Sequence, residues 1–191
     1  MIFPLFRRNR PTVTISALYG MIVAQARRPC FYRDYAVADT VNGRFDLLIL
    51  HLALVSGRLL QDPALAELGQ GVFDRFCRDM DDNLREMGIS DLKVPKEMRR
   101  IGEAFYGRAQ AYRQALDTDG DRALLEAVTR NIYGGSAPAG AAELLAAYIR
   151  RTTRDLAAQD AAALAQGVLA FPDPEAVVAT YKDSALRDWQ L

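Results

Sequence analysis

Apolar residues return every three to four positions along most of the chain, and no stretch alternates apolar with polar residues in the β-branched company of a strand. The first such run follows Pro11-Thr12 and reaches about Arg28, with Ile15, Leu18, Ile22 and Val23 as its stripe and Pro29 as its stop. The aromatic stretch 31–40 reads as an irregular connector. A second helix spans about 41–60, capped by Asp39 or Thr40. Phe45, Leu48, Leu52, Val55 and Leu59 mark one of its faces, and Leu47, Ile49, Leu50 and Leu54 fill most of the rest. A rod apolar nearly all round has to be enclosed by other helices.

Asp62-Pro63 opens a third helix that runs to Met87 and stops at Gly88. Its apolar positions, Leu65, Leu68, Val72, Phe73, Phe76, Met80, Leu84 and Met87, keep helical spacing against a charged outer face. A fourth runs from Pro95 to about Leu116. Asp121 caps a fifth that ends at Tyr133-Gly134-Gly135, and Pro138 begins a sixth reaching about Ala158. The Ala-rich segment 157–167 reads as helical, Phe171-Pro172-Asp173-Pro174 breaks it, and a short, loosely attached helix follows over 174–188. The pattern predicts an all-α fold, a single compact domain of about six to eight helices. Its parts are a basic N-terminal segment (1–12), a helical body (13–158) and an Ala-rich helical extension (159–191).

Composition agrees. Half of the 191 residues are hydrophobic and a quarter charged, which gives a real core without disulfides or structural metal. Cys30 and Cys77 lack metal-ligand spacing and read as free thiols in a reducing compartment. The richest apolar stretch, Phe45 to Val55, is far shorter than the roughly 20 residues a membrane helix needs. The zero net charge hides an asymmetry: residues 1–60 carry eight Arg and three acids, a balance of +5, against −2 over 61–100 and −3 over 101–191. Such a basic end suits anionic lipid, RNA or an acidic partner, or else pairs with the acidic middle of its own domain.

The only histidine, His51, lies on the apolar helix with Arg44 and Arg58 seven residues to either side. Two heptads keep the three within about 40° on a helix, a single polar stripe. Buried arginines call for carboxylates, and Asp79, Asp82 and Glu86 share one face of the third helix, with Asp39 and Asp91 as loop alternatives. A buried network joining the second and third helices is the first reading, a partner-contact patch the second. Catalysis ranks last, since Ser56 is close but nothing marks it as activated. Haem ligation by His51, with Met80 or Met87, lacks a CxxCH, and one His with two distant Cys makes no zinc site.

Asp117 to Asp121 looks like a calcium loop, but the glycine is out of register and Val128 stands where the last ligand belongs. Phe31, Tyr32 and Tyr35 beside Arg27, Arg28 and Arg33 suit stacking on single-stranded RNA, though packing of a loop on helices explains them better. Gly43, Gly57, Gly102 and Gly107 read as points of close helix approach.

The run ARRPCFYRDYAVADTVNGRFDLLILHLALVSGRL, then MDDNLREMGISDLKVPKEMRRIGEAFYGRAQAY and a short RNIY, closely resembles the ubiquinol–cytochrome c chaperone family over about residues 15–155. The shared pattern is Phe-Tyr, Asp-Thr, Gly-Arg-Phe and Leu-His, then Met-Asp, Leu-Arg-Glu, Gly, Asp-Leu and Phe-Tyr-Gly-Arg, in order and spacing. The resemblance implies a helical, non-enzymatic assembly factor for respiratory complex III that binds immature cytochrome b or a segment of it. The lack of a transit-peptide pattern in the opening residues points to a bacterial member. The implied client-binding residues are Phe31, Tyr32, Asp39, Gly43, Arg44, His51 and Arg58, with Asp81, Arg85, Asp91 and Tyr106 in support. No catalytic residue, metal or cofactor is expected, and no sequence-specific nucleic acid. The expected location is cytoplasmic, with peripheral contact to the cytoplasmic face of the inner membrane or to the ribosome. The alternative is a helical small-molecule binder or enzyme acting on haem, quinone or isoprenoid. Against its prenyl-chain form, Asp81-Asp82 begins a DDxxD motif whose last acid is replaced by Arg85.

Overall fold

Among residues 10–188, the span that the computed structural model describes, there is no strand. The elements are α1 (Arg10–Ala26), α2 (Cys30–Arg33), α3 (Val41–Leu60), α4 (Ala66–Glu86), α5 (Val94–Leu116), α6 (Arg122–Ile132), α7 (Ala141–Ala157), α8 (Ala161–Ala165) and α9 (Pro174–Asp188). The fold is all-α, as the periodicity predicts; most of the basic segment 1–12 lies outside the described residues.

The axis of the fold is α3. Leu47, Ile49, Leu50, Leu52, Val55 and Leu59 point in every direction around it and are all buried, because α1, α4, α5, α6 and α7 pack against it. Each such side chain contributes about 1.5–3 kcal/mol relative to exposure, which is what holds a helix of this composition at the centre. Its start is set by Thr40, whose hydroxyl accepts from Gly43 N at 3.1 Å; Asp39 turns away to Arg44. The Asp62 carboxylate caps the turn Pro63–Leu65, a 3₁₀ turn rather than the first turn of α4. At its other end α4 closes with Gly88 at φ +80°, where Ile89 N donates to Leu84 O. Asp121 precedes α6 but makes no cap bond, its carboxylate being taken by Arg150 from α7.

Of the four glycines expected at close approaches, only Gly43 is at one, and there against the connector rather than a helix. Gly57, Gly102 and Gly107 have open space where a Cβ would stand, whereas a Cβ at Gly71 would lie 2.4 Å from Ile15 Cδ1 and one at Gly69 would lie 3.1 Å from Leu59 Cβ. Those two glycines on α4 let α1 and α3 lie against it.

The C-terminal part is firmly seated. The Ala-rich segment is helical only over the five residues of α8, yet Leu164, Leu169 and Val178 are buried in the common core. The Tyr35 hydroxyl donates to Pro174 O at 2.8 Å, and Arg28 and Arg33 pair with Asp173 and Glu175. Among the described residues, Arg28 and Arg33 thus meet acids of the tail, Arg44 meets Asp39, and no arginine of the first sixty forms an ion pair with the acidic middle.

Candidate functional site

His51 is fully buried, and both ring nitrogens are engaged. Nδ1 lies 2.7 Å from Leu47 O, a pure acceptor, so Nδ1 carries the proton. Nε2 is then an acceptor and takes the hydrogen of the Tyr148 hydroxyl at 2.9 Å. Tyr148 in turn accepts from Gln25 Nε2 at 2.9 Å, whose amide also donates to Pro172 O. Phe31, Tyr148 and Phe171 stand around the imidazole at centroid distances of 5.2, 5.7 and 5.6 Å. Burial pushes the His51 pKa down to about 4. The ring is neutral, saturated with partners and sealed by aromatics, and it ties α1, α3, α7 and the segment before α9 to one point.

The heptad stripe does not act as a unit. Arg44, on the first turn of α3, is exposed and donates through Nε to Asp39 at 2.7 Å, with its guanidinium 6.0 Å from the Tyr32 ring centre. Arg58 donates to Leu156 O and Gln159 O, both at 3.1 Å. Leu156 O is in the last turn of α7 and Gln159 O lies two residues beyond its end, where a cation is favoured by the helix dipole. The expected network from α3 to the acids of α4 is therefore absent from the described residues. Asp79 receives the Tyr19 hydroxyl at 2.7 Å and faces Arg75 instead, because α1 covers that side of α4, and the polar side of α3 faces α7.

The other family-pattern residues fall into separate places. Phe31 is in the core, and Tyr35 with it, which leaves only the half-buried Tyr32 of the three aromatics near the surface. A Cβ on Gly43 would come 2.0 Å from Ala38 O, so the connector backbone crosses α3 where only glycine fits. Arg85 joins Asp81 of α4 to Asp91 of the following turn, an exposed cluster. Tyr106 is 61% exposed at the edge of the Phe73–Phe105 pair. Cys30 donates toward Asp34 Oδ2 at 3.4 Å, and burial pushes its thiol up to about 12, far from a reactive thiolate. No group of His, Cys, Asp or Glu among the described residues is arranged to hold a metal.

Two of these residues, Arg58 and Tyr106, border a cavity of about 370 Å³ between α3, α5 and α7. Its walls are apolar, from Leu54, Leu60, Phe105, Ala109, Leu116 and Leu156. Ser56, Gln61, Gln110, Tyr112, Arg113 and Thr153 add polar groups, with Asp117 the one acid among the described lining residues. Leu60, the last residue of α3, is 59% exposed at the cavity. Tyr148, Gln25 and this cavity were not evident in the sequence, where Ser56 stood out only by its nearness to His51.

The sequence profile of the ubiquinol-cytochrome C chaperone family matches residues 33–171. A search of curated proteins finds no match. A solved structure, the crystal structure of the Cbp3 homolog from Brucella abortus, is similar with a TM-score of 0.81 and 38% identity, over 92% of this chain and 98% of that one.

Proposed function

The chain belongs to the ubiquinol-cytochrome C chaperone family, and we propose that it is a non-enzymatic assembly factor for ubiquinol–cytochrome c reductase that binds immature cytochrome b. The observation that carries this is the family match across most of the helical body, joined to likeness over nearly the whole length of a Cbp3 homolog. Two features of the site support a binding rather than a chemical role. The one histidine is locked between Leu47 O and Tyr148, and the Asp81 carboxylate that would begin a diphosphate-binding motif is already paired with Arg85.

Of the eleven residues carried from the family pattern, Phe31, Gly43 and His51 hold the fold from inside. Contact with the client falls to those that reach the surface: Tyr32, Asp39 and Arg44 at the start of α3, the Asp81–Arg85–Asp91 cluster, and Arg58 and Tyr106 beside the cavity. Among the described residues no helix is long and apolar enough to cross a membrane. The protein works from the cytoplasm, at the periphery of the inner membrane where its client is inserted.

Site-specific photo-crosslinking tests this. A photoreactive residue at position 32, 44 or 106 is expected to capture newly made cytochrome b in cells, and one at the exposed position 122 at the start of α6 is not. Equal capture from all four positions, or capture from none, would overturn the proposal.

A further inference from the structure

The cavity between α3, α5 and α7 has features that contact with a protein client does not require. Ser56 is 6% exposed, lines the cavity, and its hydroxyl has no hydrogen-bond partner among the described residues. A buried hydroxyl without a partner is costly unless something bonds to it. Gly57, one residue on, also lines the space, and a Cβ there would meet nothing within 4 Å. A mid-helix glycine costs about 1 kcal/mol against alanine; no neighbour demands it here, and its effect is to keep the cavity open. The volume, about 370 Å³, falls in the range of small-molecule sites, roughly 300–1,000 Å³.

Charge narrows the ligand. Arg113 has no ion pair among the described residues, and the Arg58 guanidinium donates only to backbone carbonyls. Against these two cations stands the single carboxylate of Asp117. The border of an apolar cavity therefore carries surplus positive charge, together with a donor in Ser56.

We propose that this cavity binds a single-chain amphiphile with an acidic head, of the fatty-acid type. Its chain lies against Leu54, Phe105, Leu116 and Leu156, and its head oxygens accept from the arginines and the Ser56 hydroxyl. The inference stands on the cavity alone and is independent of the identity of the protein client.

A dansyl-labelled undecanoic acid, titrated into the purified full chain, tests it by fluorescence. Saturable binding at one site per chain is expected, with the methyl ester of the same probe about tenfold weaker for loss of the charge-assisted bonds. Gly57→Leu, which fills the open space, is expected to abolish binding while circular dichroism shows the native helix content. Arg113→Ala, an exposed change that leaves the core untouched, is expected to lower the acid to the affinity of its ester. Absence of saturable binding, equal affinity for acid and ester, or undiminished binding by folded Gly57→Leu would each overturn the proposal. Should Gly57→Leu fail to fold, the Arg113→Ala comparison decides.

Discussion

The Tyr148 hydroxyl donates to His51 Nε2 across 2.9 Å, and this bond fixes the single histidine as a neutral acceptor in the core. Its pKa, pushed down to about 4 by burial, lies below the value of about 6.5 that an unfolded chain gives it. The unfolded state therefore binds the proton first as pH falls. The stabilising contribution is complete above about pH 6.5 and is lost progressively toward pH 4. Between pH 7 and pH 5 this single group should lower stability by about 2 kcal/mol. Urea unfolding at both pH values, compared with His51→Gln, isolates it: the variant is expected to lack that part of the pH dependence. Identical pH dependence in the two proteins would contradict the neutral, buried assignment.

Glycine substitutions on α3 should have opposite signs. Gly43→Ala places a methyl group against Ala38 O and forces the connector off the helix, at a cost of about 3 kcal/mol. Gly57→Ala meets open space and improves helix propensity by about 0.5–1 kcal/mol. Thermal melts of the two variants are expected to move in opposite directions from the parent.

The two arginines of the heptad stripe should separate in the same way. Arg58→Ala removes the side-chain donor to Leu156 O in the last turn of α7 and to Gln159 O just beyond it, and should cost about 1–2 kcal/mol, with faster amide exchange in the final turn of α7. Arg44→Ala removes an exposed pair with Asp39 and a contact at the edge of cation–π range with Tyr32, and is expected to leave the melting temperature nearly unchanged. Loss of client capture by a stable Arg44→Ala would then report on contact rather than on folding.

Much of this was legible in the sequence, and the gaps have physical causes. The bounds of α3 follow from Thr40, Gly43 and the apolar run, because capping and burial are local to the helix. The partners of Arg44, His51 and Arg58 were not legible. Helical spacing says which residues share a face, but which neighbour lies opposite depends on how α1 and α7 divide the space around α3. Asp79 went to Tyr19 for that reason. The seating of the tail rests on bonds such as Tyr35 to Pro174 O, 139 residues apart, for which no local pattern exists. The cavity is a joint product of three helices; Gly57 was visible in the sequence, but as a helix contact rather than as open space.

The assignment as a complex III assembly factor is tested most directly by deleting the gene and measuring cytochrome b in isolated membranes, by reduced-minus-oxidised spectra together with quinol–cytochrome c reductase activity. Loss of both signals, restored by the wild-type gene in trans, is the expected result. Full cytochrome b and normal reductase activity in the deletion strain would contradict it.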